Sequence, residues 1–457
     1  MITTTANIES GRHYIIAGWK DNQAYAMGLQ NGNNRAAVAI NIDNDGWAYV
    51  DSSDVYEFVI NGPDADGNYF FYDTNEASTG YLYAASSGSN HLKTEEFLDA
   101  LGNGLWSIEI AEIGNAATVI AQGDHERNWM RFNSNNNPPI FSCYGSTSNQ
   151  KDIYLFVKEE DETFEFFKDI VGFGEGNGDW HLVATPFDDV EPEDANMPAG
   201  EAEEYDLYWF NPTATGEEWR NYKTAPFNLY MGKGYLYASK SPVTLHFEGD
   251  EILGEGNEEV TLEYEGFNLV GNPFARLATV DADFYVMSDG YEIAIADRDY
   301  VKPMEGIFVE AATQGQSVTF SSLEVGVGGN EPDQQNKLNI RVTDNNGNSD
   351  IARIRFGEGR GLEKLMLNEN HNKLYFVVDG NEYAVTYAAN KGEMPVYFKA
   401  AEDGTYTLTV SATLNFNYLH LIDNLTGAEV DLLVNPSYSF EARTTDNAAR
   451  FRLVFSK

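Results

Sequence analysis

"VYEFVI", residues 55–60, returns twice in the first third of the chain, as "LWSIEI" at 105–110 and "IYLFVK" at 153–158. Aligning Tyr56, Trp106 and Tyr154 gives spacings of 106 − 56 = 50 and 154 − 106 = 48 residues. A related stretch opens each unit: "QAYAMG" (23–28), "GYLYAAS" (80–86) and "NWMRFNS" (128–134). Threefold repetition near this period, all strand and turn, is what a β-trefoil requires. Each unit supplies four strands and cannot close a core alone. Residues 1–160 are therefore expected to form a β-trefoil-like domain.

Beyond residue 160 the chain keeps the same character. Apolar and polar residues alternate with period two and break at Gly, Asn and Asp, which marks an all-β protein. One helix is predicted, over "TEEFLDALG" (94–102), with acidic residues in its first turn and Gly102 as its stop. Residues 161–325 are internally duplicated. "GDWHLVATPF" (178–187) matches "EGFNLVGNPF" (265–274), with Trp180 over Phe267 and Pro186 over Pro273, an offset of 273 − 186 = 87. "GKGYLYASKSPVTLHF" (232–247) matches "MEGIFVEAATQGQSVTF" (304–320). Two such halves facing each other would bury one side of each and make a β-sandwich.

A polar linker is expected at 326–337, where "VGVGGNEPDQQNK" ends the duplicated region. Residues 338–457 then show seven alternating segments: "KLNIRV", "ARIRF", "KLYFVV", "EYAVTY", "GTYTLTV", "NYLHLI" and "RFRLVF". These predict a C-terminal antiparallel β-sandwich. Within it, "NYLHLIDNLTGAEVDLL" (417–433) reads as a hairpin, with Leu419 and Leu421 on one face and Asp423 to Gly427 forming the turn.

Several of these stretches resemble non-catalytic β modules of secreted and surface proteins of Bacteroidetes. "YLYAASSGSNHLKTE" (81–95) and "RNWMRFNSNNNPPIFSCYGS" (127–146) resemble a module that accompanies catalytic domains, nucleases among them, without supplying their chemistry. The "NLVGNPF…YVM…GIFV" pattern of the second region resembles β regions of such surface proteins. "GEMPVYFKAAEDGTYTLTV", "YLHLIDNLTGAEVDLL" and "YSFEARTTDNAARFRLVF" resemble a C-terminal β-sandwich that precedes the sorting tail in relatives using type IX secretion. The resemblance implies an extracellular or cell-surface address and no particular activity.

Composition sets further bounds. At 457 residues the chain exceeds one ordinary core, so about two to four domains are expected. Its net charge of −43, from 72 acidic against 29 basic residues, repels phosphate backbones and anionic headgroups. No nucleic-acid partner and no membrane insertion are expected, since no apolar run approaches the ~18 residues of a span. The N-terminus lacks the pattern of a signal peptide, as a trimmed mature protein also would. Cys143 is the single cysteine, which excludes intramolecular disulfides and multi-cysteine metal sites, and it reads as a small buried strand residue.

No catalytic constellation stands out. The seven histidines show no metal-ligand spacing, and the sequence has no H-E-x-x-H, G-x-S-x-G or P-loop. Paired carboxylates abound, as they must in so acidic a chain. A non-enzymatic role in adhesion or glycan binding is the leading expectation. The alternatives are the ancillary region of a larger secreted enzyme, a nuclease or protease, and a structural component of a surface layer or filament.

Sugars stack their apolar faces on exposed rings while polar side chains orient their hydroxyls. In the trefoil-like region the candidates are Trp19, Trp47, Asp124, His125, Asn128, Trp129 and Arg131. A Trp in such a repeat is ordinarily core, and Trp129 stands in register with Tyr25 and Tyr81. No cofactor is expected apart from calcium. "DNNGNSD" places Asp344, Asn346, Asn348 and Asp350 at alternate positions, as in oxygen-rich calcium loops, although Ser349 stands where an EF-hand needs Gly. The same residue types equally satisfy the backbone of a hairpin turn.

Overall fold

The computed structural model describes residues 1–159, 163–174, 179–201, 203–214, 216–288, 292–323, 336–367 and 370–457. The linker expected at 326–337 lies almost wholly outside them. The described chain is all-β: 37 strands and one 3₁₀ turn, Thr5–Asn7. No described helix is long and apolar enough to cross a membrane. The helix expected at 94–102 does not form. Thr94 and Glu95 end the strand Leu92–Glu95, paired with Leu82 and Tyr81, and the Leu98 N–H is taken by Asp169. A nine-residue segment cannot nucleate a helix against such partners. Gly102 does adopt the left-handed backbone (φ +78°), but in a turn.

Of the thirteen N-terminal strands, Ala48–Tyr49 pairs with Asn34–Ile42, and the other twelve fall into three groups of four. The first is Arg12–Lys20, Gln23–Asn31, Asn34–Ile42 and Phe58–Asn61. The second is Phe70–Asp73, Gly80–Ala84, Leu92–Glu95 and Trp106–Ile110. The third is Ala117–Ala121, Trp129–Asn133, Ile140–Tyr144 and Tyr154–Val157. In every group the second strand pairs with the third; the first pairs with the fourth in the first group, and single bridges beside those strands, Tyr69 to Trp106 and Ala117 to Ile153, link them in the other two. Each fourth strand also pairs with the first strand of the next group, and the last pairs with the first. The pairing ring is thus closed. Each repeated ending contributes to one core cluster, though from different positions of the aligned endings: Phe58, Trp106 and Leu155 are all fully buried in it. Trp106 also donates its indole N–H to the Leu82 carbonyl at 2.9 Å, so the largest core ring leaves no orphan donor.

The duplicated segment folds as two like halves. One sheet runs His181–Ala184, Gly234–Ser239, Tyr205–Phe210, Trp219–Asn221, and the other runs Gly266–Gly271, Gly306–Ala311, Tyr285–Ser288, Glu292–Ile295. The sequence match therefore places equivalent segments in equivalent sheet positions. The glycines that lead the matched strands let the halves touch through backbone. A Cβ on Gly271 would stand 2.5 Å from both the Ala184 Cβ and the Lys233 carbonyl oxygen. There the Gly271 N–H donates to Gly232 O at 3.0 Å and the Ala184 N–H to Met304 O at 3.1 Å. Each half adds a peripheral antiparallel pair: Phe164–Ile170 with Val243–Gly249, and Asn257–Thr261 with Ser317–Ser322.

All seven segments expected after residue 337 are strands of one 11-stranded sheet, which wraps a core including Leu338, Phe376, Leu421 and Phe455. The sheet is not purely antiparallel: Ser349–Phe356 runs parallel to Asn381–Ala388. This part and the second half of the duplicated segment share a small core, with Tyr285 and Phe308 against Ile351, Leu362 and Val385.

Candidate functional site

Strand alternation decides what Trp129 does. Met130 and Phe132 enter the core of the N-terminal unit at 1% and 0% exposure, so Trp129 and Arg131 lie on the opposite, outer face. Trp129 is half-buried rather than core, and the Arg131 guanidinium sits 4.5 Å from its ring centre. Reciprocal backbone bonds of 3.0 Å between Phe132 and Lys151 bring the next segment alongside, and Arg131 Nη1 pairs with the Asp152 carboxylate.

Asp152 opens onto a cleft of about 540 Å³ lined by Trp19, Lys20, Asp21, Ser134, Asn135, Lys151, Asp152 and Tyr154. Trp19 lies one residue before the end of the first strand and meets Tyr154 edge-on at 4.5 Å. Their indole and phenol bodies are packed against a satellite cluster of Ile15, Ala17 and Phe156, which holds both rings in place. The cleft thus offers ring surface, two carboxylates, two ammonium groups, an amide and two hydroxyls within one concave space. That set matches the polar and apolar faces of a sugar.

Of the expected glycan residues, Trp19 lines this cleft, and Trp129 and Arg131 connect to it through the Arg131–Asp152 pair. The others do not. Trp47 projects from a separate hairpin at 46% exposure, beside Tyr49. Asp43 fixes that hairpin by accepting from the N–H groups of Asp45 and Trp47 and from the Tyr49 hydroxyl. His125 Nδ1 lies 2.6 Å from the Ala84 carbonyl, and Asn128 donates to the Ala121 carbonyl at 3.0 Å. Both pin the loop before Trp129, on which Asp124 is exposed. Tyr154 was missed because it belongs to the third repeat ending, where sequence alone suggests only core, and Lys151 and Asp152 because they directly precede it with no pattern of their own.

Asp344 and Asp350 serve different ends. Asp344 accepts from the N–H groups of Asn346 and Asn348 and from the amides of Asn348 and Asn372. Asp350 is buried, pairs with Lys364 at 2.6 Å and accepts the Leu374 N–H. "DNNGNSD" is thus a hairpin turn in which Asp344 is tied to Asn348 and Asn372 while Asp350 is tied to Lys364 and Leu374. Among the described residues no three His, Cys, Asp or Glu side chains converge as a metal's ligand set would require.

Two other clusters of ionisable groups lie apart from the cleft. Burial, then the charge of Asp99, raises Glu95 to about 7. Asp99 itself is held by the backbone and side-chain amides of Asn103 at 2.9 and 2.8 Å. At the joint between the N-terminal and middle units, Glu165 bridges His13 at 2.7 Å and His246 at 2.8 Å. Cys143 is fully buried, which pushes its thiol up.

No protein-family model matches the chain, and no curated protein matches it. Among solved structures, one described as "Structure and mode of action of a mosquitocidal holotoxin" aligns over 99% of this chain and 69% of its own, at 11% identity and a TM-score of 0.24. That superposition is too loose to establish a common fold.

Proposed function

We propose that this chain is a non-catalytic extracellular or cell-surface protein that captures glycans through the cleft between Trp19, Asp152 and Tyr154, where Arg131 holds the Asp152 carboxylate. The observation that carries the reading is the Trp129–Arg131–Asp152 relay running into an open, aromatic-edged cleft on an otherwise core-directed repeat. In the same reading the N-terminal unit is a β-trefoil and the two later regions are sandwiches. The closed ring of first and fourth strands supports the former, and the paired halves support the latter. The likeness of several segments to surface modules of Bacteroidetes supports an address outside the cell.

A glycan array followed by titration calorimetry on the best oligosaccharide tests the proposal. The unaltered chain is expected to bind, and Asp152→Ala and Trp19→Ala are expected to weaken binding about tenfold or more, while Trp47→Ala leaves it unchanged. Failure of the folded chain to bind any polysaccharide would remove the proposal. So would binding that survives both cleft substitutions.

A further inference from the structure

The halves of the middle unit are alike, yet a strand edge covered in the first is bare, among the described residues, in the second. Phe164–Ile170 bonds on one side to Val243–Gly249. On its other side the N-terminal unit satisfies it. The Glu165 N–H donates to Gly11 O at 2.9 Å, Asn61 donates to Glu165 O at 2.8 Å, and the Phe167 N–H donates to the Asn61 side-chain oxygen at 3.2 Å. The equivalent strand Asn257–Thr261 pairs with Ser317–Ser322 in the same sense, Glu258 facing Phe320 as Phe166 faces Phe247.

Bonds from Ser322 N–H to Gly256 O and from Leu262 N–H to Gln316 O turn the even-numbered residues toward that partner. By alternation, Asn257, Glu259 and Thr261 direct N–H and C=O outward. None of these outward groups has a hydrogen-bond partner among the described residues.

That edge lines a groove of about 600 Å³ whose other lining is rich in rings, including Trp209, Phe210, Phe227, Tyr230 and Tyr264. Glu258, Glu259 and Glu263 supply negative charge, and the one cation, Lys233, is already paired with Glu263 at 3.0 Å. We propose that this groove takes an extended basic segment of a partner protein, added as a further strand beside Asn257–Thr261.

The bare backbone edge supplies the ladder, the carboxylates receive Lys or Arg side chains, and the rings accept their cationic heads. A second copy of this chain fits poorly, because 72 acidic against 29 basic residues makes edge meet edge with like charge. The acidic edge is thereby guarded against itself and open to a basic strand. A sugar would use the rings but has no regular series of donors and acceptors to match the ladder.

The test uses the full chain and a fluorescein-labelled octapeptide of alternating lysine and valine, read by anisotropy. Saturable binding is expected, weakened about tenfold or more by Thr261→Pro, which removes only an outward N–H. Methylation of alternate amides of the peptide should weaken it similarly on the unaltered protein, so the result does not depend on a variant folding. Glu259→Lys should also weaken it. Absence of binding, or binding indifferent to both Thr261→Pro and peptide methylation, would overturn the proposal. Full displacement of the peptide by a neutral heptasaccharide that binds Thr261→Pro unchanged would reassign the groove to sugar and overturn it as well.

Discussion

Asp423 carries two tasks, and its surroundings in sequence disclose one of them. It opens the turn expected after "NYLHLI": the Leu425 N–H donates to its carboxylate at 2.9 Å and Gly427 takes φ +72°. Yet its side chain is 1% exposed, because Arg450, 27 residues later, meets it at 3.1 and 2.9 Å while the Tyr438 hydroxyl donates at 3.0 Å. Burial opposes its charge, but Arg450 and these bonds outweigh that and hold the carboxyl below the usual range. Removing one partner of a buried pair leaves an uncompensated charge. Asp423→Ala should therefore cost roughly 3–5 kcal/mol in urea unfolding, and Asp423→Leu with Arg450→Met should recover much of it. Period-two patterns made the faces of Leu419 and Leu421 legible, and both are buried. The same rule, applied to Met130 and Phe132, would have put Trp129 outside. The Arg450 partnership was not legible, since charge pairing over such a separation leaves no local pattern.

At the scale of elements, strands and their repeats were readable because alternation is imposed by burial on one face. The parallel contact of Ser349–Phe356 with Asn381–Ala388 was not, because direction depends on how connections cross the sheet. Nor was the joint made by Phe164–Ile170. There Phe167 stacks between Tyr72 at 3.8 Å and His246 at 4.7 Å, Glu165 is flanked by His13 and His246, and Glu57 joins His13 to Lys158. Burial works against the His13 imidazolium, but its bonds with Glu165 and Glu57 prevail and raise it from 6.5 to about 9. Burial likewise opposes the Glu165 charge, and the two histidines prevail, lowering it from 4.5 to about 2. The His13 contribution is complete below 6.5 and is lost as pH rises through 9. The Glu165 contribution is complete above 4.5 and is lost as pH falls through 2. The melting-temperature gap between the unaltered chain and His13→Gln should be widest near about pH 6 and should close by about pH 10. A gap constant across that range would contradict the joint described.

Across the whole molecule, the later units are fastened by charge as well as by core. Asp283 binds Arg353 at 3.1 Å and Arg355 at 2.6 Å, with all three side chains at least nine-tenths buried, and Tyr285 donates to Glu363 O at 2.6 Å. The sequence division near residue 337 hides this dependence, since hydropathy reports that a strand is buried without naming what covers it. Asp283→Ala would strand two buried guanidinium groups and should cost roughly 3–5 kcal/mol. Scanning calorimetry should show the middle and C-terminal units melting together in the unaltered chain and apart in the variant.

The closed pairing ring at the other end of the molecule sets its own rule of construction. The Ile2 N–H donates to Leu155 O at 2.8 Å, so the unit begins and ends at one spot, while the turn around Ile113 is 92% exposed on the far reach of a hairpin. Nothing in the ring fixes which strand must be made first. The unit is topologically a loop whose first and last segments meet beside Leu155. It can be recut at Ile113 as a circular permutant, or inserted whole into a surface turn of a host protein, with every strand partner preserved.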